Sequence, residues 1–181
     1  MTPEANKRIF VLAAVALVLD QITKEVVVRT LRYGGEYIVI EDFFRFVHWG
    51  NTGAAWSLFR DNNMALLVVA IIALIVLFLL RRHFGAETRL GQVALGLMFG
   101  GIVGNIIDRI RYDHVVDFIY FYVQRRSGQE IGFPAFNVAD SAICVGVGLL
   151  FVLSWQADAE AVASHSEAVE SPDAKTDSSG Q

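Results

Sequence analysis

The sequence predicts a membrane α-helical protein: a bundle of four transmembrane helices, with a small β-sheet and a loop or short helix at its outer end. Three observations predict this. Of 181 residues, 54% are hydrophobic and 19% charged, and mean hydropathy is +0.45; an average soluble domain is about 45–50% apolar and about 25% charged. Four apolar stretches, 8–28, 63–80, 90–108 and 136–155, approach the roughly 20 residues a spanning helix needs. The two connections expected on the outer side are rich in β-branched and aromatic residues, as strands are. One membrane-embedded domain is expected over 1–156.

The first stretch opens with Lys7 and Arg8 before an apolar run, like the start of a secretory signal. LDQITKEVVV follows instead of a small-x-small cleavage site, so a retained helix is expected. Asp20 lies twelve residues beyond Arg8, about 18 Å along the axis and in the outer half of a core about 30 Å thick. Lys24 is one turn further on the same face. The local reading is an intrahelical Asp20–Lys24 pair with Lys24 snorkelling outward. Intramembrane charges also mark functional interiors, and such a pair can position other groups.

EYIVIEDFFRFVHW (36–49) predicts one or two short strands, and HVVDFIYFYV (114–123) another, with turns at Gly34-Gly35 and Ser127-Gly128. The sheet is expected on the outer membrane–water boundary, with Trp49, Trp56, Tyr120 and Tyr122 as amphipathic anchors. NTGAAWS (51–57) is a turn signal; Asn51 either caps a short helix or hydrogen-bonds an extended peptide backbone.

In the third helix Gly96, Gly100 and Gly104 recur every four residues, a small-residue face for close helix approach. Gly101, Asn105, Asp108 and Arg109 follow at helical spacings. Asn105 can hydrogen-bond between helices, and Asp108 and Arg109 can brace the outer loops. In the fourth stretch Asn137 is a candidate N-cap, which makes Asp140 its partner three residues on, as in a capping box. The helix N-terminus favours its charge. Cys144 is expected as a small buried hydrophobe without a disulfide partner.

Positive residues in short loops orient the bundle. Lys7 and Arg8 precede the first helix, and Arg81, Arg82 and Arg89 flank the link between the second and third, so both termini are expected in the cytoplasm. Arg109, Arg111, Arg125 and Arg126 fall outside and oppose this layout weakly. The net charge is −4, but the segment 157–181 holds six acids against Lys175 alone. Rich in Ala, Ser and acids and without aromatics, it is expected as a disordered cytoplasmic tail.

In this layout Asp20, Asn51, Asn105, Asp108, Asp117, Asn137 and Asp140 all fall at the outer end, from three helices and two loops. One polar pocket accounts for the clustering better than independent caps do. Its chemistry is narrowed by what is missing. His48, His83, His114 and His165 are scattered, and there is no HExxH, CxxC, phosphate loop or basic stripe interleaved with aromatics. Neither metal, cofactor nor nucleic acid is expected. Acid–base hydrolysis by two aspartates fits, because two adjacent carboxyls share a proton. Asp117, among apolar neighbours in a strand, and Asp140, at a helix start, are the best-placed pair.

Taken together, DQITK, NTGAAWSLF, GGIVGNIIDR, VVDF and FNVADS, in that order over residues 8 to about 155, resemble the lipoprotein signal peptidase (signal peptidase II) family. The resemblance implies an aspartic endopeptidase of the bacterial inner membrane that removes the signal peptide of a prolipoprotein, cutting before a diacylglyceryl-modified cysteine. It implies a catalytic dyad at Asp117 and Asp140, and supporting roles for Asp20, Lys24, Asn51, Asn105, Asp108, Arg109 and Asn137, with Gly101 and Gly104 among them. It also implies sensitivity to globomycin, no cofactor, a monomer in contact with lipid, and a site at the periplasmic face. The long acidic tail departs from the family pattern. Two other readings use the same residues: a small proton-coupled transporter, and a non-enzymatic membrane scaffold assembled through the glycine-rich helix.

Overall fold

A computed structural model describes residues 2–53 and 62–170, with 160–170 as backbone. Its elements follow the order α1 (Pro3–Thr30), β1 (Glu36–Ile40), β2 (Phe44–Asn51), α2 (Asn63–Leu80), α3 (Arg89–Tyr112), β3 (Val115–Gln124), β4 (Glu130–Gly132) and α4 (Val138–Glu170). Side-chain caps start the first three helices: Thr2, Asn62 and Thr88 each accept from a backbone N–H three residues on.

Helix α3 touches each of the other three helices. Its glycines explain how. A Cβ at Gly96 would meet Leu12 and the Ile9 carbonyl, one at Gly100 would meet Ala13 and Ala16, and one at Gly104 would lie 2.5 Å from Asp20 Oδ2. Helices α1 and α3 therefore run parallel, turn against turn. A Cβ at Gly101 would lie 2.5 Å from the Ala139 carbonyl, and Gly146 packs on Met98, so α4 runs antiparallel to α3. Among the described residues, α2, α3 and Val138–Ala159 of α4 are long and apolar enough to cross a membrane. Helix α1 is as long, but its buried face includes Asp20 and Lys24.

The strands form one antiparallel sheet in the order β1-β2-β3-β4. Gly34 and Gly128 take φ of 73° and 80° in the expected turns, conformations that disfavour other residues. Arg45 ties all four strands. It pairs with Glu36 (3.3 Å) and Glu130 (2.7 Å) and lies over the Tyr120 and Tyr122 rings at 4.9 and 4.4 Å. Tyr120 Oη also donates to Glu130 (2.9 Å).

Several expectations are corrected. Tyr120 and Tyr122 are buried rather than interfacial anchors, because Arg45 and Val47 pack on them. Trp49 is half-buried against Tyr120, and Trp56 lies outside the described residues. Cys144 is exposed, because α4 turns Ala139, Ala142 and Gly146 inward instead. The acidic segment begins as helix, since α4 continues from Ala157 to Glu170, a stretch rich in the helix formers Ala and Glu; 171–181 lie outside the described residues. Strand β4 adds an edge to the sheet beyond the expected strands.

Candidate active site

Every polar residue singled out for the site lies at one end of the bundle. That end comprises the C-terminal turns of α1 and α3, the start of α4 and the sheet strands beside them. Asp117 sits mid-sheet in β3, opposite Trp49 of β2, and is 3% exposed. It does not face solvent: β2 pairs with its strand here, and Asn51 and Asn137 close over its carboxylate, while β4 reaches only Tyr122–Gln124. Asn51 Nδ2 donates to its Oδ2 (2.9 Å) and Asn137 Nδ2 to its Oδ1 (2.8 Å).

Asp140 enters from α4. Asn137 and Asp140 form a reciprocal cap: the Asp140 N–H donates to Asn137 Oδ1 (2.8 Å) and the Asn137 N–H to Asp140 Oδ2 (3.3 Å). Asn105 Nδ2 donates to Asp140 Oδ1 (2.8 Å). Asn137 thus touches both aspartates, with its amide on Asp117 and its backbone and carbonyl on Asp140. The cap and the contact with Asp117 are made by the same asparagine.

Burial pushes the Asp117 carboxyl up from 3.8 to about 7, and the charge of Asp140 adds to the rise. The hydrogen bonds from Asn51 and Asn137 and the charge of Lys24 pull the other way.

Beneath this pair lies a buried charge cluster. Lys24 Nζ contacts Asp20 Oδ2 (2.9 Å), Asp108 Oδ2 (2.8 Å) and Asn105 Oδ1 (2.9 Å). The Asp20–Lys24 pair exists, but Lys24 does not snorkel: it is 2% exposed, because Asp108 and Asn105 of α3 hold it inside. Through the Asn105 amide the lysine reaches Asp140. Asp20 Oδ1 accepts from the Ala139 N–H (2.8 Å), and Asp108 Oδ2 from the Val116 N–H (3.1 Å). Each acid therefore fixes the backbone next to a candidate catalytic residue.

Arg109 stands apart from the cluster. It donates to Gly53 O (3.4 Å) and Asn63 Oδ1 (3.1 Å), and Asn63 Nδ2 donates back to Arg109 O (3.1 Å). It joins the turn after Asn51 to the start of α2. Asn51 also holds that turn, its Oδ1 accepting from the Gly53 N–H (3.0 Å). Whether Asn51 caps a short helix lies outside the described residues.

Sequence reasoning missed Gln21. Its Nε2 donates to Asp20 Oδ2 (3.2 Å), Gly104 O (3.3 Å) and Asp108 Oδ1 (3.0 Å). A second polar side chain beside Asp20 in an apolar helix was the available signal. Asn63 was missed too, since the first residue of a helix reads as a cap.

The family model for signal peptidase (SPase) II matches residues 12–156, a span that holds the whole of this geometry. The chain belongs to the signal peptidase II family. Relatives named lipoprotein signal peptidase include one from Symbiobacterium thermophilum, 42% identical over 142 residues, covering 78% of this chain and 90% of that protein. One from Bacillus pumilus is 38% identical over 144 residues, covering 79% and 89%. Two solved bacterial membrane enzymes share the fold. One has a TM-score of 0.68 at 32% identity, covering 82% of this chain and 87% of that one; the other has 0.63 at 31%, covering 80% and 90%. Membership makes the chain a protease of the signal peptidase II kind.

Proposed function

We infer that the chain is an aspartic endopeptidase of the bacterial inner membrane that removes the signal peptide from prolipoproteins, cutting just before the diacylglyceryl-modified cysteine. The observation that carries the mechanism is the Asn137 bridge, with its amide 2.8 Å from Asp117 and its N–H and carbonyl oxygen both engaged with Asp140. Asp117 and Asp140 share one proton. The ionised carboxylate takes a proton from water, whose oxygen attacks the scissile carbonyl carbon. The protonated carboxyl gives its proton to the carbonyl oxygen. Collapse of the tetrahedral intermediate breaks the C–N bond: one hydroxyl returns its proton to the carboxylate that had protonated the carbonyl, and the proton drawn from water passes to the leaving amine, which restores the pair.

Asp20, Lys24, Asn105, Asp108 and Asn137 hold the pair, and Gly101 and Gly104 let α1, α3 and α4 close around it. Asn51 and Arg109 shape the turn beside it. This acid–base route needs no cofactor. Both aspartates come from one chain, which supports a monomer as the working unit.

Helix α1 completes four membrane crossings, its charges turned inward and its outward face carrying exposed apolar residues such as Val15, Val18 and Ile22. Helices α1 and α3 are parallel and α4 opposes them, which supports both termini on one side, and Lys7, Arg8, Arg81, Arg82 and Arg89 at that side favour the cytoplasm, with the dyad at the periplasmic face. A signal peptide is itself a membrane helix whose cleavage site lies near that boundary, and its diacylglyceryl chains can remain in lipid. Globomycin-type cyclic peptides are expected to compete for the same pocket. The test is incubation of the purified protein with a diacylglyceryl-modified prolipoprotein and its unlipidated twin. Cleavage of the first and little of the second is expected; equal cleavage of both removes the lipid from the specificity.

A further inference from the structure

We propose that the chain carries a binding site for an anionic phospholipid at the end of the bundle opposite the dyad. A groove of about 470 Å³ lies between the first turns of α1 and α3. Three cations line it: Lys7 and Arg8 from α1, and Arg89 from the first position of α3. Glu4 is the single acid among the described residues that line it. Gln92 is 4% exposed, donates to Ala86 O (3.2 Å), and accepts from Arg8 Nη1 at 3.5 Å, which orients the guanidinium across the groove.

Because α1 and α3 run parallel, their N-terminal turns stand side by side, which brings the α1 cations and Arg89 of α3 to one groove. Three clustered cations, two of them guanidiniums, suit a phosphate. The floor is apolar, made of Val11, Leu12 and Val93. Exposed Val11, Val15 and Val18 continue it along one stripe of α1. A charged mouth over an apolar track fits a phospholipid, headgroup and chain together, rather than a free anion. Arg89 lies nineteen residues before Asp108, about 28 Å along the axis, so this site faces the other leaflet from the dyad. The inference rests on the membrane placement of α1 and α3, not on the peptidase assignment.

The test is native mass spectrometry of the full chain in detergent, titrated with dioleoyl phosphatidylglycerol or dioleoyl phosphatidylcholine, with inorganic phosphate as competitor. Wild type is expected to retain phosphatidylglycerol in preference to phosphatidylcholine, unaffected by millimolar phosphate. The triple variant K7Q/R8Q/R89Q is expected to bind phosphatidylglycerol about a hundredfold more weakly. E4Q, which removes only the opposing acid, is expected to bind it about fivefold more tightly. Equal retention of the two lipids, undiminished binding by the triple variant, or displacement by phosphate alone overturns the proposal. Should the triple variant fail to fold, E4Q decides: no tightening overturns it.

Discussion

The backbone N–H of Ala139 donates to Asp20 Oδ1 at 2.8 Å, so α1 holds the first turn of α4 from outside that helix. The other oxygen of Asp20 meets Lys24 at 2.9 Å. In the proposed mechanism Asp20 is a buried anchor beside Asp140, not a participant in proton transfer. Asp20→Ala leaves the buried Ala139 N–H without its acceptor and takes one of two carboxylates from Lys24, which keeps Asp108, and is expected to cost about 1–3 kcal/mol. Asp20→Asn keeps an acceptor and should lose less. Thermal unfolding in detergent, compared across the two variants, checks the order.

Asn137 tunes the pair as well as holding it. Its hydrogen bond lowers the Asp117 pKa against burial. Asn137→Ala is expected to reduce kcat about 10²–10³-fold, the scale for losing one preorganised donor. It is also expected to move the alkaline limb of the pH–rate profile upward. A merely structural role would lower kcat and leave that limb in place.

Asp117 makes stability depend on pH. Its folded pKa, about 7, stands above the ordinary 3.8, so the native state holds this proton more tightly than the unfolded chain. The resulting stabilisation is full below pH 3.8 and is lost as pH rises through about 7. Activity should fall over the same alkaline limb, because the pair loses its shared proton. Thermal midpoints at about pH 5 and pH 8 should therefore differ more for wild type than for Asp117→Asn; parallel behaviour contradicts the assignment.

Gly101 is expected to tolerate no side chain. A Cβ there would press on the Ala139 carbonyl at 2.5 Å, a backbone atom that cannot swing away, and would push the start of α4 off Asp20 and Asn105. Gly101→Ala should cost about 1–3 kcal/mol and depress kcat with it. Gly148 is the control: a Cβ there would meet nothing within 4 Å, and Gly148→Ala should be close to neutral in the same assays.

What could be read from the sequence follows the range of the forces involved. Helix α2 is bounded where its apolar run ends, because hydropathy and the Asn62 cap are local signals. The strands β2 and β3 were legible from aromatic and β-branched runs, though not their pairing, whereas three-residue β4 offers too short a pattern to find. Lys24 could not be placed from α1 alone, since Asp108 and Asn105, more than eighty residues away, decide that it stays inside. Tyr120 and Tyr122 were misjudged for the same reason: Arg45, far off in sequence, buries them. The Asn137–Asp140 cap was legible because its spacing is local; that it also touches Asp117 depends on the sheet.

The central claim, that Asp117 and Asp140 act together on one water, is tested most directly by cleavage of a diacylglyceryl-modified prolipoprotein by Asp117→Asn and Asp140→Asn. Each variant is first shown to unfold cooperatively, as wild type does, in mildly acidic detergent solution. No product from either is the expected result. Product formed at a wild-type rate by either variant contradicts the account.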